Sequence, residues 1–192
     1  MENLTLTLLG GVAAATAGSA PVQFRTDKIR ALLVYLALEG DRPHQRSSLA
    51  ALLWPEMPEQ TALKNLRRSL HRLQQTRDEQ SPGLSAALFT VTRQTMQGNP
   101  SLVDVDVLNF QALLLACERH PHRHLHLCHD CLARLERAAA LYQGELLAGF
   151  GLPNAAAFEE WMLFRRERLQ QQAINALGRL AAAQAERGEN ET

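Results

Sequence analysis

Hydrophobic and polar positions alternate at the start of the chain. Leu4, Leu6 and Leu8 are separated by Thr5 and Thr7, the two-residue period of a half-buried strand. Gly10-Gly11 marks a turn and Gly18-Ser19 another before Pro21-Val22-Gln23-Phe24, which predicts a small antiparallel sheet of about three strands. The period then changes. Ile29, Leu32, Leu33, Leu36 and Ala37 share one face of a helix that Thr26 or Asp27 can cap and Gly40 can end. Ser47 or Ser48 can cap a short helix from Leu49 to Trp54, stopped by Pro55. A longer helix runs from about Glu59 to Arg77, with Leu63, Leu66, Leu70 and Leu73 as its buried stripe and Ser81-Pro82-Gly83 as its break. Two β-leaning segments follow, Leu88 to Thr92 and Leu102 to Val105, joined by a loop containing Gly98-Asn99-Pro100. Two helices across a short connection, with a hairpin after the second, give the order of a winged helix-turn-helix.

From Asp106 onward the pattern is helical. Helices are expected at about 107–118, 128–143, 154–170 and 172–187, with Asp104 or Asp106 capping the first and Gly144, Gly149 and Gly151 as punctuation. Paired amphipathic helices of this length resemble tetratricopeptide-like modules, although no strict 34-residue self-similarity is visible. The predicted fold is mainly α: a winged helix with small antiparallel β elements over residues 1–105, then a helical bundle over residues 106–192.

Composition supports a folded chain and narrows its class. Of 192 residues, 46% are hydrophobic and only 5% aromatic, which leans toward helix and away from disorder. Twenty basic residues balance twenty acidic ones, so bulk charge names no partner. No apolar run approaches the roughly 18 residues of a membrane span. The Met-Glu-Asn start lacks the basic beginning of a signal peptide, and three cysteines make no disulfide framework, so a reducing cytoplasm is expected. Neither a phosphate-binding glycine loop, a nucleophile elbow nor a paired-acid arrangement is present, so no enzyme activity is expected. Trp54, Tyr142, Phe150, Phe158 and Trp161 read as packing residues. Glu159, Glu160 and Glu167 among Arg165, Arg166 and Arg168 read as local pairs on a solvated helix.

Two local anomalies carry chemistry. From Gln60 to Arg77 there are five basic residues and no acidic one. At 100° per residue, Leu63, Leu70 and Leu73 fall within about 60° of Leu66, while Lys64, Arg68, His71 and Gln75 lie opposite and Thr61 and Arg72 flank them. Such an acid-free strip suits a helix in the DNA major groove, arginine being apt for bidentate contact with guanine or phosphate. Arg46, Ser47 and Ser48 stand where the preceding helix begins and could hold a phosphate, although simple capping explains the serines as well. Arg93 lies in the expected wing.

The second anomaly is a histidine-rich stretch, with five of seven histidines between His120 and His129. Cys117 and His120 form C-x2-H, and Cys128 and Cys131 form C-x2-C. Together they could hold one structural zinc, with His124 as a substitute ligand. Three reduced thiols beside a polar loop are the plain alternative.

These residues also carry a family resemblance. Lys28-Ile-Arg-Ala-Leu-Leu-Val-Tyr-Leu-Ala-Leu, Leu49-Ala-Ala-Leu-Leu-Trp-Pro and Ala62-Leu-Lys-Asn-Leu-Arg-Arg-Ser-Leu-His-Arg-Leu resemble the DNA-binding half of the antibiotic regulatory protein (SARP) family of bacterial activators. Asp104-Val-Asp-Val-Leu-Asn-Phe, Ala138-Ala-Ala-Leu-Tyr-Gln-Gly-Glu-Leu-Leu-Ala-Gly-Phe and Phe158-Glu-Glu-Trp-Met-Leu-Phe-Arg-Arg-Glu-Arg-Leu resemble its companion, the bacterial transcriptional activator domain. The likeness spans nearly the whole chain and implies a two-domain transcription factor. Its implied partners are double-stranded DNA, met as head-to-tail pairs of protomers, and RNA polymerase or a fused downstream domain. The chain would be a stand-alone member or the first part of a larger regulator. The near-zero net charge keeps a rival class open: an interaction adaptor whose winged helix no longer binds DNA.

Overall fold

In the computed structural model, which describes residues 4–16, 21–22, 24–78, 88–121 and 123–190, the opening alternation becomes strand β1 (Leu4–Thr7). Leu4 and Leu6 are buried, and Thr5 and Thr7 are exposed. Gly10 turns the chain at φ +95°, a conformation that favours glycine, and leads into β2 (Ala13–Thr16), antiparallel to β1. Helix α1 (Asp27–Leu38) starts where the Thr26 hydroxyl accepts the Ile29 amide. Its predicted stripe is buried, and so are Ala31 and Val34, which makes α1 the central helix of this half. A two-residue strand β3 (His44–Gln45) and the short helix α2 (Arg46–Leu53) precede the long helix α3 (Glu59–Asp78). Strands β4 (Phe89–Val91), β5 (Thr95–Gly98) and β6 (Val103–Val105) follow. The turn predicted at Gly18-Ser19 and the break predicted at Ser81-Pro82-Gly83 lie outside the described residues.

The strands pair differently from the expectation. The wing is β4 with β5, antiparallel in the register Phe89↔Gly98 to Val91↔Met96, and β3 adds a third strand on the other edge of β5. The segment around Val103 does not join that hairpin. It crosses back as β6 and pairs in parallel with β1, Leu4↔Val103 to Leu6↔Val105, so the leading sheet has the order β2-β1-β6 and is mixed. The physical reason is local at one end and distant at the other. The Thr92 hydroxyl accepts the Thr95 amide at 2.9 Å and closes a tight turn, while Val103 and Val105 bury their side chains beside Leu4 and Leu6.

The second half consists of α4 (Asp106–Arg119), α5 (His129–Leu141) and α6 (Ala156–Asn190), with a 3-10 turn at Leu125–Leu127. The two separate helices expected at 154–170 and 172–187 are one continuous 35-residue helix. Gln170-Gln171-Gln172 offers no proline or glycine to break it. Asp106 is the first residue of α4, and its Oδ2 accepts the amides of Leu8 and Leu9 at 2.8 and 2.9 Å. Val105 occupies the cap position, so neither Asp104 nor Asp106 is the N-cap residue. Burial pushes the Asp106 carboxyl above its ordinary pKa against the pull of the three amides it accepts.

Both halves share one core, a cluster of buried side chains running from Leu4 of β1 to Ala176 of α6. The loop before α6 reinforces this junction. Gly10 donates to Glu145 O at 3.0 Å, and Leu147 donates to Leu8 O at 2.8 Å. Arg166 caps the same loop, its Nε on Leu146 O and its Nη2 on Leu147 O, both at 2.7 Å. Arg165 reaches Glu39 at the end of α1. These two arginines therefore join distant elements instead of forming the local pairs expected along α6.

Candidate functional site

Helix α3 presents its polar face as the wheel requires. Ala62, Leu66, Leu70 and Leu73 are buried, whereas Lys64, Arg68, His71, Arg72 and Gln75 are exposed. Leu63 is half-buried, and Ser69 joins the inner stripe. A groove of about 680 Å³ opens between α3, the start of α2 and the wing, lined by Arg46, Lys64, Arg67, Arg68, His71 and apolar Leu70 and Val91 together with Gln74. No carboxylate is among these lining residues. Arg67 was not among the residues expected to contact DNA. It sits about 100° from Leu66 on the wheel, at the border between the two faces, and that position is the signal that would have found it.

Arg46 is drawn into the groove by the wing. Its amide donates to Gln94 O at 2.8 Å, and its guanidinium reaches Thr92 O at 3.4 Å. This wing carbonyl satisfies one of the amides left open at the start of α2. The helix accordingly begins at Arg46, with Gln45 as cap residue and no side-chain cap, so the serine caps expected at Ser47 and Ser48 do not form. Ser48 is exposed and lines a separate hollow with Trp54, Pro55 and Met57. Arg93 is exposed in the turn between β4 and β5. Arg46 thus joins Lys64, Arg68 and His71 at one groove, with Arg72 exposed on the flank of α3, Arg93 at the tip of the wing and Ser48 on the other hollow.

The packing residues hold the two halves together. Trp54, Phe150 and Phe158 are buried, and Tyr142 and Trp161 are half-buried. Trp161 does more than pack: its indole N–H donates to Glu39, and its ring lies 5.0 Å from that of Tyr35. Burial, with the Glu39 charge beside it, pushes the Tyr35 phenol above its ordinary pKa.

The cysteines and histidines separate into two groups. His120 Nδ1 lies 3.4 Å from Cys128 Sγ and 3.5 Å from Cys131 Sγ, and the three side chains form one compact cluster. Cys117 lies apart from this cluster. Its sulfur is fully buried and meets Arg179 Nη2 of α6 at 3.6 Å; only its carbonyl approaches Cys131. Cys117 falls on the same inner face of α4 as Leu114 one turn earlier, which turns its thiol toward α6. His124 stacks near His126, whose ring faces Glu186.

The architecture is a winged helix followed by an α-helical bundle on a shared core. Residues 105–192, a little under half of the chain, match the family described as the bacterial transcriptional activator domain. The winged helix before it gives the two-domain order that the SARP resemblance implies. No curated protein matches the chain. The solved structure of Mycobacterium tuberculosis EmbR in complex with a low-affinity phosphopeptide superimposes with a TM-score of 0.74 at 19% identity. The alignment covers 98% of this chain and 47% of that one, so the chain spans about half the length of that relative. The likeness is one of fold.

Proposed function

We propose that the chain is a sequence-specific DNA-binding transcriptional activator of the cytoplasm. One observation carries this reading: the groove between α3 and the wing is basic, solvent-open and free of carboxylates. In this reading α3 enters the major groove, where Lys64, Arg67, Arg68 and His71 meet base edges or phosphates and Arg72 flanks them. Arg46 supports a phosphate from the start of α2, and Arg93 touches the backbone or minor groove from the wing. Ser48 has the weaker claim, because its hollow also contains Glu59.

The helical half serves as the protein-contact surface. Leu163, Ile174 and Leu177 lie on one side of α6, beside Phe164, and all four are about half or more exposed. Such apolar exposure suits a second protomer on head-to-tail DNA sites, RNA polymerase or a further domain.

The test is binding to the chain's own upstream region over a salt series. Affinity should fall linearly in log–log coordinates, with a slope of about −0.9 per phosphate neutralised. The adaptor reading draws on the balanced net charge of the whole chain. Absence of measurable binding at low salt, to either specific or random duplex, would select it.

A further inference from the structure

We propose that His120, Cys128 and Cys131 supply three ligands of one zinc site. The geometry is the first reason. Zn–N near 2.0 Å and Zn–S near 2.3 Å at a tetrahedral angle place nitrogen and sulfur about 3.5 Å apart and two sulfurs about 3.8 Å apart. The two N···S separations are 3.4 and 3.5 Å, and all three ligand atoms lie within 4.8 Å of one another. A zinc ion therefore fits without rearrangement of the backbone.

The elements that present these ligands are the second reason. His120 is the C-cap residue of α4, Cys128 the N-cap residue of α5, and Cys131 stands in the first turn of α5. Negatively charged ligands suit a helix start. Arg134, one turn further, donates to Cys131 Sγ at 3.7 Å, the type of outer hydrogen bond that orients a metal-bound thiolate. Bound zinc would join the end of one helix to the beginning of the next.

Cys131 is buried, whereas His120 and Cys128 are half-buried, so the cluster has a solvent side. Cys117 is occupied with Arg179. His126 is turned to Glu186, with His124 beside it. Among the described residues these three alone come together, and a fourth ligand would complete the tetrahedral site.

The experiment uses the full chain without a histidine tag, in a phosphine reductant. Zinc is titrated against a chromophoric chelator, and cobalt is added to a second sample as a spectroscopic probe. One equivalent of zinc should bind, and Cys128→Ser, Cys131→Ser and His120→Ala should each lose it. Cys117→Ala should keep it. Cobalt should give tetrahedral d–d bands and charge-transfer intensity for two thiolates. Failure of the wild-type chain to take up either ion would overturn the site. Intensity for three thiolates, or loss of zinc from a folded Cys117→Ala chain, would restore Cys117 as a ligand and overturn the three-ligand set. Circular dichroism identifies variants that fail to fold, and for those the wild-type cobalt spectrum decides.

Discussion

Glu39 accepts the indole N–H of Trp161 at 2.8 Å, across 122 positions of sequence. The same carboxylate oxygen takes the guanidinium of Arg165, and both charged side chains are mostly shielded from solvent. The winged helix and α6 are thus tied through one acceptor. Trp161→Phe keeps the ring and removes the donor, and should cost about 0.5–1.5 kcal/mol. Glu39→Ala strands both donors and should cost more, about 1.5–3 kcal/mol, because the bonds involve charged groups. Denaturant unfolding of both variants and their double mutant checks this. Simple additivity of the two losses would mean that the residues are not coupled.

Helix α3 makes two opposite predictions on its two faces. Arg67→Ala and Arg68→Ala should weaken DNA binding and leave the melting curve unchanged, since both side chains are exposed. A lost phosphate contact lowers the salt slope by about one and affects all sequences, whereas a lost guanine contact costs about 1–3 kcal/mol at one base pair. Leu66→Ala on the buried face should instead cost about 2–5 kcal/mol of stability through a cavity. A stable Leu66→Ala chain would show that the helix phase is wrong.

Asp106 links the first strand to the second half of the chain. It accepts Leu8 and Leu9 on one oxygen and Val107 on the other, at 2.7 Å. Asparagine has a single acceptor oxygen, so Asp106→Asn leaves at least one amide facing a donor and should cost about 1–3 kcal/mol. The pH dependence has a definite sign. Because burial raises the folded-state pKa, the folded chain holds this proton more tightly than the unfolded chain. That contribution is fully present below the unfolded value and is lost as pH rises through the folded one. The stability gap between wild type and Asp106→Asn should therefore widen in mild acid relative to neutral buffer. A gap that narrows there would reverse the assigned shift.

Gly98, at the end of the wing, lies against the end of α1. A Cβ at this position would sit 2.2 Å from the carbonyl oxygen of Leu36. Backbone cannot yield as a flexible side chain can, so Gly98→Ala should displace β5 from α1. Loss of thermal stability, together with weaker DNA binding through the displaced wing, is the expected outcome. An alanine variant with wild-type melting would show that the hairpin has room to move.

The long amphipathic helices were legible because their period is repeated many times. Both α1 and α3 match the expected stripes closely, and the basic face followed from the same wheel. Short or distant pairings were not legible. Strand β5 buries a single large side chain, Met96, so its alternation is too brief to read, and β6 finds its partner about a hundred residues away. Arg165 and Arg166 have acceptable partners nearby in sequence, yet better ones on Glu39 and the loop at Leu146. Of the four candidate ligands, His120, Cys128 and Cys131 meet in one cluster, whereas Cys117 is separated by the direction in which α4 turns its inner face.

The uninterrupted length of α6 has a mechanical consequence. From Trp161, bonded to Glu39 at the winged helix, to Glu186, beside His126, the unbroken helix rises over 25 residue steps, about 38 Å at 1.5 Å per residue. A rod of that length is a lever: one degree of rocking about Trp161 moves the Glu186 end by about 0.7 Å. The turn that carries His126 lies between His120 and Cys128, so small tilts at the Glu39 end arrive there as ångström-scale displacements.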